Sequence, residues 1–403
     1  MRISRWFLLG LALIASACGG GGGDNGPGPQ PGRSKWTVLV FMNAANDLSQ
    51  FAPLNMNQLE RVAGNPEVRF VVQWKQSTDL AFPTKFNGTR RYLVKPDSSN
   101  DINSTVVQEM GTHVDMGQVA TLREFVTWAR AEYPSDRLAL IVWNHGNGWQ
   151  RGPASDEITR GVSYDDQTGN SIQTWELAQA TAGLGIDLLA FDSSLMQMVE
   201  VAYEMRANVP FIVGSEESPP GEGYPYDLVF APWRDNPTAS TETLSKSFVD
   251  GMVNNPPYVN RKITQSVLRS SKLGDVATAA SGLATTLIAH PELSDEIRDA
   301  RVAAQPYSST PDVTTRQYYD MMGFAEELSA RVAVQDVKDA CAALKAALGA
   351  AILWNGHNAQ SAQSRGLAVD LSKASQFATK TVNYQRMQWA ADTTWDEWLT
   401  VAP

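Results

Sequence analysis

Two short stretches of the chain carry residues that can exchange a proton and attack a carbonyl. The first, residues 138–149, ends in a loop that presents His145. Histidine is the side chain whose charge changes most readily near neutral pH. The second, residues 186–197, presents Asp192 and two serines, the second of which is Ser194. A base and a candidate nucleophile therefore arrive together, the combination that nucleophilic catalysis needs.

Each stretch is a run of apolar residues that stops abruptly at small and polar ones. This pattern is typical of a buried parallel strand that delivers a loop to one edge of a sheet. A more exposed strand is expected at 89–94, and three further apolar runs predict buried strands: 36–42, 68–74 and 209–214. Between the strands, apolar residues recur at helical spacing in three segments: 48–62, 121–131 and 172–182.

Strands alternating with helices predict right-handed crossovers and a mainly parallel sheet covered by helices on both faces. In such α/β folds the ligand site lies beyond the carboxyl ends of the strands, where His145 and Ser194 are both expected. Residues 150–170 between them are polar and loop-like, and Asp165 with Asp166 is expected to form a turn. A loop of this length in a compact domain is usually functional or mobile.

Beyond Pro232 the pattern becomes mainly helical. Before Pro232, residues 96–111 show no periodic pattern of apolar residues. After Pro232, two short strand-like runs, 262–268 and 366–371, interrupt the predicted helices. Helix-like spacing covers four segments of this part: 241–253, 273–289, 315–332 and 334–353. We expect residues 35–232 to form the core and residues 233–403 to form a C-terminal, mainly helical part of the same unit.

The first residues have the composition of an export signal. A basic tip, an apolar run and small residues precede Cys18, and the run is too short to span a membrane permanently. The small residues before Cys18 also resemble a bacterial lipobox, so we expect 1–18 to be a lipoprotein signal peptide and the protein to be membrane-anchored in the bacterial envelope. An ordinary signal peptide with an incidental cysteine is the alternative. The Gly- and Pro-rich residues 19–34 predict a flexible linker.

Composition narrows the classes of partner and cofactor. The formal net charge of -10 argues against nucleic acid, and no basic run overrides it. Cys341 lies in an alanine-rich helical pattern and is expected to pack in the core. Because a lipidated Cys18 would leave Cys341 without a partner, no disulfide framework is expected in the mature chain. No His or Cys residues stand at metal-ligand spacing, and no cofactor is expected from the sequence pattern itself.

Several motifs are shared with a known family. The stretch His145–Trp149 reads His-Gly-Asn-Gly-Trp, and Phe191–Met196 reads Phe-Asp-Ser-Ser-Leu-Met. These resemble the His-Gly-x-Gly-Trp and Phe-Asp-Ala-Cys-Leu-Met signatures of the clostripain family of cysteine endopeptidases, members of the caspase-like clan. The likeness continues through four later stretches: 214–217, 224–226, 319–324 and 395–399. The resemblance implies a caspase-like, three-layer αβα sandwich.

The resemblance also implies roles for individual residues. In the family a cysteine thiolate attacks the scissile carbonyl, and this chain has Ser194 at that position. The amide of Gly146 would belong to the oxyanion pocket together with the nucleophile loop. Asp192 lies where family members hold an acidic residue at the floor of a pocket for arginine or lysine, and Glu222 is a candidate second acidic wall. Calcium dependence occurs in the family, which makes calcium a possible cofactor.

A serine hydroxyl attacks poorly unless a base lies within hydrogen-bonding reach and is itself oriented. Ser194 also has a structural interpretation, because Ser194–Gln197 fits a capping box at the start of a helix. A third interpretation of Ser194 is that the sequence was altered from an active form with cysteine at this position.

The favoured function is an inactive or weakly active peptidase homologue that binds basic peptide segments. The alternatives are an endopeptidase that cleaves after arginine or lysine with a Ser194–His145 dyad, and a non-catalytic surface interaction protein.

Overall fold

A nine-stranded sheet separates two layers of helices in the structure, a computed structural model that describes residues 32–76, 86–150, 161–308 and 317–403. The predicted signal peptide, Cys18 and most of the predicted linker lie outside these residues. The strands of the described chain are β1 Ser34–Ala44, β2 Val68–Gln76, β3 Gly88–Leu93, β4 Thr105–Gly111, β5 Ser135–Trp143, β6 Val162–Asp165, β7 Asn170–Ile172, β8 Leu188–Asp192, β9 Phe211–Gly214, β10 Thr264–Arg269, β11 Pro306–Tyr307, β12 Tyr318–Asp320, β13 Ile352–His357 and β14 Ala368–Asp370.

Helices connect and cover these strands. They are α1 Ala52–Val62, α2 Val119–Glu132, α3 Leu177–Thr181, α4 Val199–Glu204, α5 Tyr226–Asp235, α6 Thr241–Val253, α7 Leu273–Ala289, α8 Ser294–Ala303, α9 Met321–Arg331, α10 Gln335–Ala351, α11 Ala374–Phe377, α12 Thr381–Tyr384, α13 Gln388–Asp392 and α14 Trp395–Leu399. In the described ranges, no helix combines the length and the apolar character that crossing a membrane requires.

The main sheet has the strand order β13-β10-β9-β8-β5-β1-β2-β3-β4. Its five central strands, β9 to β2 in that order, are mutually parallel. Antiparallel strands extend the sheet on both sides, β3 and β4 beyond β2, and β10 and β13 beyond β9. The predicted α/β sandwich with a mainly parallel central sheet and a largely helical C-terminal part is confirmed.

The core lies on both faces of this sheet, which explains why the central strands are continuous apolar runs. Trp36, Val38 and Val40 of β1 face one layer, where they join the buried side chains of α1, α5 and α6. Leu39 and Phe41 face the other layer, which contains α2, α3, α4, α7 and the later helices. Because successive side chains of a strand alternate between faces, β1 contributes to both cores.

The structure corrects several of the secondary-structure assignments made from the sequence, among them the start of the predicted helix 315–332, where residues 318–320 form strand β12. Residues 105–111 form the exposed edge strand β4, although no period was visible there. Strand β3 is mostly buried rather than exposed, because side chains pack on its faces, with Arg91 over the Trp128 ring and Tyr92 against Trp74. The end of the predicted helix 334–353 belongs to β13, which pairs with β10. Residues 162–170, expected to be loop-like, belong to the hairpin of β6 and β7, and residue 172, expected to begin a helix, ends β7. Residues 151–160 of the predicted loop lie outside the described residues.

Candidate active site

The two loops singled out in the sequence leave neighbouring parallel strands at the same edge of the sheet. Trp143 at the end of β5 pairs in register with Asp192 at the end of β8. His145 and Ser194 each follow two residues later, so their loops emerge side by side. The loops are in direct contact, because a Cβ added to Gly146 would lie 2.5 Å from the carbonyl oxygen of Ser194. The structure therefore brings the candidate base and the candidate nucleophile to one place.

His145 is held by a carboxylate and an aromatic ring. Its Nε2 lies 2.5 Å from Oδ1 of Asp47, and 35% of the His145 side chain is exposed. The imidazole also stacks on Tyr164, with 5.9 Å between the ring centroids and 23° between the planes. Asp47 lies in the loop after β1, at the start of a short 3₁₀ turn. The sequence analysis did not single out Asp47, although its position after another parallel strand was an available signal.

The ring under His145 belongs to the β6–β7 hairpin. The side chain of Asn144 accepts a hydrogen bond from the Tyr164 amide at 2.7 Å and donates one to the Tyr164 carbonyl at 3.1 Å. The next residue, Asp165, is buried and accepts hydrogen bonds from Lys75 Nζ at 2.6 Å and from the amide of Met116 at 2.9 Å. Asp165 therefore ends a strand in a buried ion pair, which corrects the expectation that it forms part of the turn.

Ser194 does not cap a helix, and the predicted capping box is wrong. The amide of Gln197 donates to the Ser215 carbonyl at 3.1 Å, and its side chain donates to Ser266 Oγ at 2.7 Å. Helix α4 begins only at Val199, without a side-chain cap. Among the described residues, the Ser194 hydroxyl has no hydrogen-bond partner, and its side chain is partly exposed.

The loop around Ser194 adopts a tight, strained turn. Leu195 has a φ of 63°, in the left-handed region that residues with a side chain rarely adopt. Its amide donates to the carbonyl of Glu217, in the loop after β9, at 3.3 Å. Backbone strain of this kind persists only where the surrounding structure enforces it, and it is frequent at functional sites.

Asp192 is a buried carboxylate with neutral partners. The residue is 5% exposed, and its oxygens accept hydrogen bonds from the Tyr224 amide at 3.0 Å and the Tyr226 hydroxyl at 2.9 Å. Burial raises the pKa of Asp192 to about 7, and these two hydrogen bonds offset only part of that rise. No cationic side chain of the described residues forms an ion pair with it. Gly223 leaves room for this carboxylate, since a Cβ there would lie 2.7 Å from its oxygens.

Glu222 differs from Asp192 in its surroundings. Its carboxylate is 3.2 Å from Arg261 in a half-exposed ion pair, while its main-chain carbonyl accepts a hydrogen bond from Asn55 at 3.0 Å. The structure therefore places Glu222 one residue before Gly223 but with a cation already beside it. Its assignment as a second acidic wall stays a prediction.

The C-terminal part supports the loop that carries His145. Trp149 Nε1 donates to Asp370 Oδ2 at 2.9 Å, and Lys380 Nζ lies 2.5 Å from the same oxygen. The hydroxyl of Tyr318 donates to the Asn147 carbonyl at 3.1 Å. Sequence reasoning did not find these supports, because Trp149 and Asp370 are 221 residues apart.

Two further features of the described chain concern ligands. Within the described ranges, no group of three or more His, Cys, Asp or Glu side chains is arranged to hold a metal ion, and calcium binding stays a prediction. A cavity of about 810 Å³ lies beside the start of α2, lined among others by Arg123, Trp175 and Arg386. It contains none of the candidate site residues.

The sequence of this chain is similar to that of known peptidases over most of its length. The family model of the Clostripain family (peptidase C11) matches residues 40–400. Clostripain from Hathewaya histolytica is 28% identical over 222 residues, which is 49% of this chain and 41% of that protein, so the match spans less than half of this relative.

Two solved structures share the fold. The structure of an inactive zymogen C11 protease from Parabacteroides distasonis superposes with a TM-score of 0.67 and 19% identity, covering 90% of this chain and 99% of that one. A secreted C11 cysteine protease from Bacteroides thetaiotaomicron, in complex with an irreversible peptide inhibitor, gives a TM-score of 0.66 and 18% identity over the same shares.

Proposed function

Because the chain belongs to the clostripain family, we propose that it is a peptidase homologue of the bacterial envelope that binds basic peptide segments and hydrolyses them slowly or not at all. The observation that carries this proposal is Asp192, a desolvated carboxylate that lies two residues before Ser194 and has no cationic partner among the described residues. The proposed pocket holds an arginine or lysine side chain against this carboxylate.

The state of Asp192 explains why a cation would bind there. A buried carboxylate is costly to ionise without a counter-charge, and an incoming guanidinium or ammonium group removes that cost. Because only 5% of the residue is exposed, we propose that the ligand side chain is long and narrow enough to reach the carboxylate. Arginine and lysine have this shape, with a charge at the end of an unbranched stem.

Ser194 accounts for the proposed lack of efficient hydrolysis. We place Ser194 in the nucleophile position, His145 as the base and the Gly146 amide in the oxyanion pocket. A thiol is partly ionised near neutral pH, whereas a serine hydroxyl must lose its proton to the base during attack. The Ser194 hydroxyl makes no hydrogen bond with any described residue, so its proton has no acceptor already in place.

The experiment compares hydrolysis of arginyl, lysyl and glutamyl reporter amides by the wild type, Ser194→Ala and Ser194→Cys. We expect little or no turnover by the wild type and none by Ser194→Ala. Ser194→Cys should cleave the two basic reporters roughly 100-fold faster than the wild type, since a thiolate is the stronger nucleophile. Equal cleavage of the glutamyl reporter, or no cleavage by Ser194→Cys, would contradict the proposal.

The second candidate is an endopeptidase that uses Ser194 and His145 as a working dyad. The carboxylate of Asp47 on His145 favours it, because a serine nucleophile depends on an oriented base more than a thiol does. Efficient hydrolysis of the basic reporters by the wild type, abolished in Ser194→Ala, would select this candidate over the first.

For the cellular location, we propose that Cys18 is lipidated and anchors the chain to a membrane of the envelope. The export-type leader before Cys18 supports this, and one relative of known structure is a secreted protease. Metabolic labelling with a radioactive fatty acid tests it. The wild type should incorporate label and Cys18→Ser should not, and equal labelling of both would contradict the anchor.

A further inference from the structure

The strand order of the sheet lines up three side chains at its carboxyl edge. Strands β8, β5 and β1 are consecutive neighbours, and all three are parallel. The loops that follow them carry Ser194, His145 and Asp47, respectively. A nucleophile candidate, a base and a carboxylate thus follow three adjacent strands in the order that a proton-transfer chain requires.

We propose that Asp47 is a positioning residue for His145, an inference that rests on the proposed function of His145 as base and Ser194 as nucleophile. The Asp47 carboxylate accepts the Nε2 proton of the imidazole across 2.5 Å, which fixes the ring orientation and the tautomer. The other ring nitrogen, Nδ1, is then the basic atom. Nδ1 makes no hydrogen bond with any described residue, so it is free to accept a proton from the nucleophile.

The proton balance of the step shows what Asp47 contributes. As the Ser194 oxygen bonds to the substrate carbonyl carbon, its proton moves to Nδ1 and the carbonyl electron pair moves to the carbonyl oxygen. The imidazolium then carries a proton on each nitrogen, and Asp47 remains ionised and opposes the positive charge. When the carbon–nitrogen bond breaks, Nδ1 returns its proton to the leaving amine. Water completes the reaction by the same transfers.

The structure separates this role from that of a helix cap. The cap of the 3₁₀ turn Asp47–Gln50 is Asn46, whose side chain accepts a hydrogen bond from the Leu48 amide at 3.0 Å. The Asp47 side chain is 76% exposed, so replacing it should leave the fold intact. Tyr164 stacks on the imidazole and restricts the plane of the ring. Within that plane, the hydrogen bond to Asp47 determines which ring nitrogen faces the substrate.

The test uses the full chain with Ser194→Cys, because the alkylation rate of a thiol at residue 194 reports its ionisation without any peptide substrate. Iodoacetamide modification of the peptide containing residue 194 is followed by mass spectrometry between pH 5 and pH 10. Cys341 is fully buried and should remain unmodified, which confirms that the protein is folded. Asp136→Asn is the matched control, since this exposed aspartate lies on β5 at the end away from His145.

We expect Asp47→Asn to slow alkylation at pH 6 to 7 by roughly fivefold, the size of effect that an exposed charge pair supports. At pH 10, where the thiol is ionised without help, the rates should be equal. Asp47→Glu should restore most of the loss, and Asp136→Asn should change nothing. Slower alkylation of Asp47→Asn at every pH, or no effect at pH 6 to 7, would overturn the assignment.

These outcomes are independent of peptide binding. If Asp47→Asn behaves as expected while no basic peptide binds or is cleaved, the proposed function fails and the positioning role stands. If basic reporters are cleaved by Ser194→Cys and Asp47→Asn leaves kcat unchanged, the proposed function stands and the positioning role fails. Where cleavage is measurable, Asp47→Asn should lower kcat and leave KM unchanged, because Asp47 does not contact the side chain held by Asp192.

Discussion

Gly146 lies against the main chain of Ser194 so closely that a methyl group on its Cα would come within 2.5 Å of the Ser194 carbonyl oxygen. The loop of the candidate base and the loop of the candidate nucleophile therefore form one packed unit. The atom that blocks a side chain is backbone, which cannot rotate away as the end of a long side chain can. The close packing of the two loops is therefore possible only because residue 146 has no side chain.

We predict that Gly146→Ala lowers the free energy of unfolding by about 1–3 kcal/mol, the usual cost of forcing a group into a packed region. Chemical denaturation monitored by tryptophan fluorescence measures it. The control is Gly282→Ala in α7, where, apart from neighbouring residues and the helix's own backbone, nothing lies within 4 Å of the added Cβ. That substitution should stabilise the protein by up to about 1 kcal/mol, as alanine is the better helix former. Equal effects of the two substitutions would contradict the packing of the loops.

Ser194→Ala should change the free energy of unfolding by less than about 0.5 kcal/mol, because its hydroxyl makes no hydrogen bond within the described chain and caps no helix. Ser240 is the matched comparison, since it caps α6 by accepting a hydrogen bond from the Thr243 amide at 3.1 Å. Ser240→Ala should cost about 1 kcal/mol. Should Ser194→Ala cost as much as Ser240→Ala in the same denaturation experiment, a structural role for Ser194 would regain support.

The buried pair of Lys75 and Asp165 anchors the hairpin that places Tyr164 under His145. Lys75→Met should reduce the free energy of unfolding by about 3–5 kcal/mol, because it leaves the Asp165 carboxylate buried without its cation. Adding Asp165→Asn to Lys75→Met should recover part of that loss, since the double variant has no uncompensated charge. A double variant less stable than Lys75→Met alone would show that charge compensation is not what the pair provides.

The raised pKa of Asp192 predicts how binding depends on pH. The carboxyl has a pKa of about 7 in the free protein, and a bound cation stabilises only its ionised form. Below pH 7 a proton must leave before the cation binds, so affinity for a basic peptide should fall about tenfold per pH unit. Above pH 7 the carboxylate is already ionised and the affinity should be constant. Calorimetry with Ser194→Ala and an arginine-containing peptide amide between pH 5 and pH 9 measures this dependence.

The sign and the source of the effect are checked with two variants. In Asp192→Asn the affinity should be weak and independent of pH over the same range. Glu222→Gln should retain the pH profile, because the Glu222 carboxylate is already paired with Arg261 near the surface. Tighter binding at low pH, or an unchanged profile in Asp192→Asn, would mean that Asp192 is not the group that meets the cation.

The local spacing of apolar residues was enough to predict helices that have a continuous apolar face within their own sequence. Helices α6 and α7 begin and end at the predicted residues, because an unbroken apolar face defines each of them. The first two residues of strand β13, 352 and 353, were predicted as the end of the preceding helix, because the same alanine- and leucine-rich spacing runs into them. Its conformation is decided by pairing with β10, a contact between distant segments.

In the candidate site, too, features set by local sequence were predicted, and features set by contacts between distant segments were not. Each of the loops of His145 and Ser194 follows an apolar strand, so the sheet rule alone predicts that they meet. The Ser194–Gln197 stretch has the residue types of a capping box. It does not begin a helix, because Leu195 adopts a left-handed conformation and its amide donates a hydrogen bond to the Glu217 carbonyl. Asp47 was not identified, because its partner His145 is 98 residues away and nothing local distinguishes it from a capping aspartate.

The central claim is that residue 194 stands in the nucleophile position beside a pocket for a basic side chain. The most direct measurement is mass spectrometry of Ser194→Cys after treatment with an arginyl peptide chloromethyl ketone, with a glutamyl analogue as control. We predict one adduct, on residue 194, formed by the arginyl reagent, strongly reduced in Asp192→Asn and prevented by excess basic peptide. No adduct on residue 194, or equal modification by the glutamyl reagent, would contradict the account.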